Sequence, residues 1–377
     1  MRGDQEVTVA SEGIIDCDVH PYFNNGIADL ATYLSDAWRH RLGLGQLRSD
    51  GVTISMPSWS IPANTIYIND TASFRKDATP PDGSVPGSDP AFVQSHLLDE
   101  YGIERAILIG GNVLGLGAMA DPDVAAVLAS AYNDWLIERW LAEDSRFRGA
   151  LVIAPQDPDL AVKEINRVGD AAGMVEILIP LIDIAMGTRH FYPIYEAAQE
   201  HDLAVTVHPA GTENIFFQAP PMAVKPAYKV EWRTALTQVH QSNLISLLCH
   251  GVFERFPRLR FVITEGGFAW LPDVIWRLDS SWRALRDEIP WVKQLPSEYI
   301  RTNVRFTSQP FVEAPRPEQT RAICELVDAE TTVIFSSDYP HFDFDDPNRA
   351  LNALDQALRQ RILSTNAREF FGERLVN

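Results

Sequence analysis

Eight near-continuous apolar segments alternate with helical segments along this chain, and that alternation limits the possible fold more than any other feature. The segments lie near 13–20, 105–109, 150–154, 175–179, 203–208, 260–265, 304–307 and 332–338. Parallel strands covered on both faces read as continuous apolar runs, and each parallel pair needs a long crossover. Eight such units predict an α/β protein, a (β/α)8 TIM barrel, with residues 1–377 forming one domain. There is no internal repeat and no interdomain linker. A hydrophobic fraction of 46% over 377 residues supplies ample core for one such barrel.

One stretch interrupts the alternation. Residues 42–90 are rich in Pro, Gly, Ser and Asp, as in Pro80–Pro81–Asp82–Gly83, with apolar anchors such as Trp59 and Ile61. Long irregular insertions in compact domains are usually lids or binding loops. This one is expected to be a flap over the barrel mouth, inserted after the first strand.

The net charge of −19 argues against nucleic acid and anionic membrane surfaces as partners. No apolar run is long enough for a transmembrane helix. The polar start lacks a signal-peptide core. Cys17, Cys249 and Cys324 show neither pairing nor zinc spacing. Together these features predict a cytoplasmic protein acting on a small molecule. A homodimer is the assembly considered.

The strand ends carry the chemistry. The first strand, Gly13–Ile14–Ile15–Asp16–Cys17–Asp18–Val19–His20, ends in an acid and an imidazole two residues apart, on one face of the strand. The fifth ends in His208, the sixth in Glu265 and the eighth in Asp338. In a barrel these C-terminal ends converge on one mouth, where active sites are built. Carboxylates and imidazoles gathered there form a ligand set for a divalent cation. Asp16 lies deeper on the same strand face as Asp18. His240, mid-helix, is a further candidate ligand, and His341 a ligand, hydrogen-bond donor or substrate contact. Trp270 and Trp276 are expected in the core or the substrate wall; Arg75, Lys76 and Arg233 could meet an anionic substrate but are expected on the solvated surface.

Five motifs give the chain a resemblance: Asp16–Cys17–Asp18–Val19–His20, His208–Pro209, Gly251–Val252–Phe253–Glu254–Arg255–Phe256–Pro257, Ser337–Asp338–Tyr339–Pro340–His341 and Asn366–Ala367–Arg368. It resembles the amidohydrolase-related family that includes aminocarboxymuconate-semialdehyde decarboxylase and resorcylate decarboxylases. The resemblance implies a metal-dependent barrel and carries the metal ligands onto Asp18, His20, His208 and Asp338. Many members place a histidine after the sixth strand, where this chain has Glu265. The fourth strand lacks the bridging lysine of binuclear relatives.

The acid-rich set also resembles a branch of TIM-barrel non-heme diiron monooxygenases, related to one from diterpenoid antibiotic biosynthesis and acting mostly on coenzyme A-linked substrates. That second resemblance implies two iron ions, with Glu265 and His240 completing the ligands and Glu265, His240 and His341 serving catalysis. It also implies an acyl-CoA substrate. The alternative is a hydrolase or non-oxidative decarboxylase holding one zinc or manganese ion, with Glu265 as acid/base.

Overall fold

The computed structural model describes residues 13–44, 74–210, 229–311 and 313–376. Eight parallel strands form one sheet in sequential order: β1 (Ile14–Val19), β2 (Ile103–Leu108), β3 (Phe147–Val152), β4 (Met174–Leu178), β5 (Ala204–Val207), β6 (Phe261–Ile263), β7 (Val304–Thr307) and β8 (Val333–Ile334). Each lies within a few residues of its expected place. The eighth is the exception, with two residues in regular pairing where the apolar run suggested seven. Beyond Ile334 the chain leaves the ladder with β7 and turns towards β1.

That turn brings the barrel close to closure. The Cys17 amide donates to the Phe335 carbonyl at 2.9 Å, His20 to Tyr339 at 2.7 Å, and Asp338 to Asp18 at 3.1 Å. The two strand ends with the richest chemistry are therefore stitched together by their own backbones. Asp16 takes part as well, accepting from the Ser337 amide at 2.9 Å and the Asp18 amide at 3.3 Å. The β1–β2 register is irregular between Asp16 and Val19. The carboxyl of Asp16 is thereby committed to the β1–β8 seam.

Helices cover the outside, among them Pro122–Leu136, Pro158–Val168, Tyr192–Glu200, Thr237–Cys249, Leu271–Leu285 and Pro317–Leu326. Five carry Pro in their first turn, two of them straight after an Asp (Asp121, Asp157). The Asp side chains accept from the amides two and three residues on, satisfying donors that the helix leaves open. Inside, Ile15, Cys17, Ile107, Val175, Ala204, Val262 and Ile334 form an apolar layer packed on Phe370 and Phe371 of the helix Asn366–Phe371. This layer supplies stability well away from the mouth. No helix among the described residues is long and apolar enough to cross a membrane.

Of the expected flap, 45–73 lie outside the described residues. The described remainder packs against the mouth. The Phe74 backbone bridges to His341, and the Arg75 amide donates to the Pro340 carbonyl at 2.9 Å. Gly87 has φ +77°, its carbonyl accepts from the Tyr22 amide at 2.8 Å, and it lies so close that an added Cβ would stand 2.6 Å from the His20 carbonyl oxygen. Gly87→Ala is therefore expected to lower unfolding free energy by about 1–3 kcal/mol, the range for a side chain forced into such a conformation. Urea denaturation checks this, and an unchanged midpoint would contradict the close packing.

Candidate metal centre

The mouth gathers four strand-end side chains into one buried cluster. Asp18, His20, His208 and Asp338 each offer a ligand atom, and these atoms all lie within 4.8 Å of one another. His20 Nε2 stands 3.3 Å from Asp18 Oδ1 and 3.0 Å from Asp338 Oδ1, and His208 Nε2 lies 3.5 Å from Asp18 Oδ2.

The imidazoles are oriented from behind. The Nδ1–H of His20 donates to the Ile109 carbonyl at 2.8 Å, and that of His208 to the Pro209 carbonyl at 2.7 Å. A carbonyl only accepts, so both rings carry their proton on Nδ1 and turn Nε2 to the cluster, as metal-binding histidines do. Asp18 Oδ1 and Oδ2, Asp338 Oδ2 and His208 Nε2 are buried without a hydrogen-bond partner. Burying such atoms unpaired costs free energy, so their convergence calls for a cation. The electrostatics agree. Burial pulls the His20 imidazole down, but Asp18 and Asp338 outweigh it and push it up to about 10, so with no cation bound the two carboxylates hold a proton on His20 in its place. Burial raises Asp338, yet His341 and His20 hold its carboxyl well below the usual range.

Asp338 and Glu265 share a backbone feature, φ +62° and +51°. Left-handed non-glycine residues cluster where the surrounding structure over-determines them, often at functional sites. Both lie just past a strand end, where the turn lets the side chain re-enter the mouth. His341 backs Asp338, its Nδ1 at 2.5 Å from Asp338 Oδ1 and its Nε2 at 2.7 Å from the Tyr22 hydroxyl. With Nδ1–H donating to the carboxylate, Nε2 accepts from Tyr22. His341 thus acts through Asp338.

Glu265 Oε2 lies 3.4 Å from His208 Nε2, and Oε1 accepts from Arg233 Nη1 at 3.1 Å. Burial, then the Asp338 charge, pushes the Glu265 carboxyl up to about 8. Arg233 also bonds Asp343, which accepts from Gln309 Nε2 at 2.9 Å. Arg233 was expected at the solvated surface. Its side chain is only 22% exposed and joins two site carboxylates instead. Glu265, Asp338 and Asp343 form a second group of converging ligand atoms. Arg233 supplies positive charge there.

His240 is fully buried in the helix Thr237–Cys249, with both ring nitrogens unpartnered. It belongs to neither convergent group, and Gly266 lies against its ring. Burial, reinforced by His208, pushes it down to about 3, so it is a neutral imidazole packed behind the site. Trp270 donates its indole N–H to the Gly266 carbonyl at 2.9 Å, whereas Trp276, expected inside, is 59% exposed. Its position on the outer face of the helix Leu271–Leu285 explains the difference.

A sequential eight-stranded barrel with buried acids and imidazoles at its C-terminal mouth defines a class, the TIM-barrel enzymes of metal-ligand type. The amidohydrolase family matches residues 15–372, and the chain belongs to it. Among curated relatives, a gamma-resorcylate decarboxylase of a Polaromonas species is 24% identical over 295 residues, covering 73% of this chain and 85% of the relative. One from Rhodococcus jostii is 26% identical over 302 residues, covering 74% and 86%. Among solved structures, a 5-carboxyvanillate decarboxylase from Novosphingobium aromaticivorans, with manganese and 4-hydroxy-3-methoxy-5-nitrobenzoic acid bound, is 22% identical, covers 96% of both chains and superposes with a TM-score of 0.64.

These relatives overturn the expected non-heme iron monooxygenase, because they are decarboxylases of aromatic acids. The physical reason for the error lies in Glu265. Its carboxylate reads from sequence as a ligand for a second iron; the structure pairs it with Arg233 and also gathers it with Asp338 and Asp343, so the residue alone does not distinguish the two chemistries.

Proposed function

We propose that this protein is a metal-dependent, non-oxidative decarboxylase of an aromatic carboxylic acid. The observation that carries the reading is the buried cluster of Asp18, His20, His208 and Asp338 with unpartnered atoms facing one another. Two imidazole nitrogens and two carboxylates suit one divalent ion such as manganese, zinc or ferrous iron. Charge balance supports a single ion. Arg233 already supplies a positive charge to Glu265 and Asp343, which leaves Asp18 and Asp338 to balance one divalent cation. The curated relatives' activity and the manganese of the solved relative support the same reading.

When bound, the cation supplies Lewis acidity that fixes the acid's oxygens and takes up developing negative charge. The chain's own groups do the rest. Glu265 holds a proton beside His208 and delivers it to the ring carbon that bears the carboxylate. The bond to the carboxylate carbon then breaks, its electron pair returns to the ring, and carbon dioxide leaves. The proton lost by Glu265 is regained from water as product departs. Arg233 anchors one Glu265 oxygen and so aims the other. His341 holds Asp338, and Tyr22 holds His341, so the carboxylate keeps its orientation.

The test is carbon dioxide release from 2,6-dihydroxybenzoate and 5-carboxyvanillate by protein reconstituted separately with manganese, zinc and ferrous iron. Release that disappears on chelation and returns with metal is the expected result. Equal release by stripped and reconstituted protein would refute the metal's role.

A further inference from the structure

A cavity of about 770 Å³ opens beside the centre, among the loops that follow β6, β7 and β8 and the helical segment near Arg233. Its walls include Phe268, Trp270, Phe311 and Phe342, with Ala269 and Thr234 at its lining. Arg233 places it next to the centre, since it lines the cavity and bonds Glu265, whose other oxygen lies 3.4 Å from His208. Gly267 and Phe342, also in its walls, follow Glu265 by two residues and His341 by one.

We infer that the substrate is an aromatic acid bearing a bulky, uncharged apolar substituent, with its carboxyl end at the metal centre and its substituent in this cavity. The inference rests on the decarboxylase reading only for the placement of the carboxyl end. Its size argument is independent. Cavities of roughly 300–1,000 Å³ enclose drug-sized ligands, and a lone dihydroxybenzoate ring leaves most of such a space to water. Its polarity argument concerns charge. Among the described residues lining the cavity, Arg233 carries the only charge, and Glu265 and Asp343 already pair it. A phosphate-bearing tail of the coenzyme A kind would find no free cation there. Aromatic walls instead favour a flat or branched hydrocarbon group.

A substituent para to the carboxylate lies farthest from the carboxyl end, so it is the one used to probe the cavity. Manganese-loaded protein is titrated calorimetrically with 2,6-dihydroxybenzoate and with its 4-hexyl derivative. Each methylene in an apolar pocket is worth about 10-fold or more in discrimination, so the hexyl acid is expected to bind at least about 10-fold more tightly. Ala269→Trp and Thr234→Trp place a large ring at two separate points of the lining. Both positions are exposed, so the added ring has room without disturbing the core. Each variant is expected to reduce the advantage of the hexyl acid over the parent acid. Equal affinity of the two acids for the wild-type protein would overturn the inference, as would an advantage that survives both substitutions. Carbon dioxide release is followed on the same samples. A binding preference without release sustains the cavity's role and defeats the decarboxylase reading; release without preference does the reverse.

Discussion

Glu265→Gln is expected to slow carbon dioxide release by about 10²–10⁴-fold, the usual range for losing a positioned acid, while the protein still binds one divalent cation. The amide keeps the shape of the side chain and an oxygen for Arg233, but it has no acidic proton to deliver. The metal cluster closes without it, because Asp18, His20, His208 and Asp338 already converge within 4.8 Å. Elemental analysis beside single-turnover kinetics separates the two roles that a carboxylate can play here. A variant that loses metal in proportion to activity would make Glu265 a ligand and remove it as the proton donor.

His208→Ala is expected to abolish tight metal binding and reduce carbon dioxide release to the level of chelator-stripped protein. The ring supplies one of the four convergent atoms, and its Nε2 has no hydrogen-bond partner within the protein. Its other nitrogen meets the Pro209 carbonyl, a bond that positions the ring without holding two elements together. Removing the ring leaves β5 packed through Val205 and Val207, so the circular dichroism spectrum should match that of the parent. His20 is a poorer choice for this experiment. It bonds Ile109 across to the β2 end, and its Nε2 stands 3.3 Å from Asp18 and 3.0 Å from Asp338, so its loss would disturb two strand ends and two buried carboxylates at once. Metal retained at full stoichiometry by His208→Ala would place the centre elsewhere.

The strands were readable because parallel strands covered on both faces must be apolar throughout, and their ends were readable because Asp18, His20, His208, Glu265 and Asp338 break those runs with polar groups. The eighth strand was overestimated for a physical reason. Phe335–Ser336–Ser337 remains buried and extended but bonds back towards β1 and its neighbours rather than continuing the ladder. Arg233 was misread because nothing in its local sequence marks a partner 32 residues away, nor the further pairing with Asp343. Burial and the Asp338 charge, which push the Glu265 carboxyl up, are likewise invisible at a strand end read alone. His240 illustrates the same limit. Its place in a helix after β5 left a ligand or a core histidine open, and the structure buries it against Gly266, outside both convergent groups.

The central claim is that one divalent cation at Asp18, His20, His208 and Asp338 supports decarboxylation without oxidation. Simultaneous recording of dissolved oxygen and carbon dioxide during turnover of an aromatic acid by manganese-reconstituted protein tests it most directly. The account predicts one carbon dioxide per acid consumed, a flat oxygen trace and the same rate under argon. Oxygen uptake matching substrate loss, with turnover that stops under argon, would contradict it.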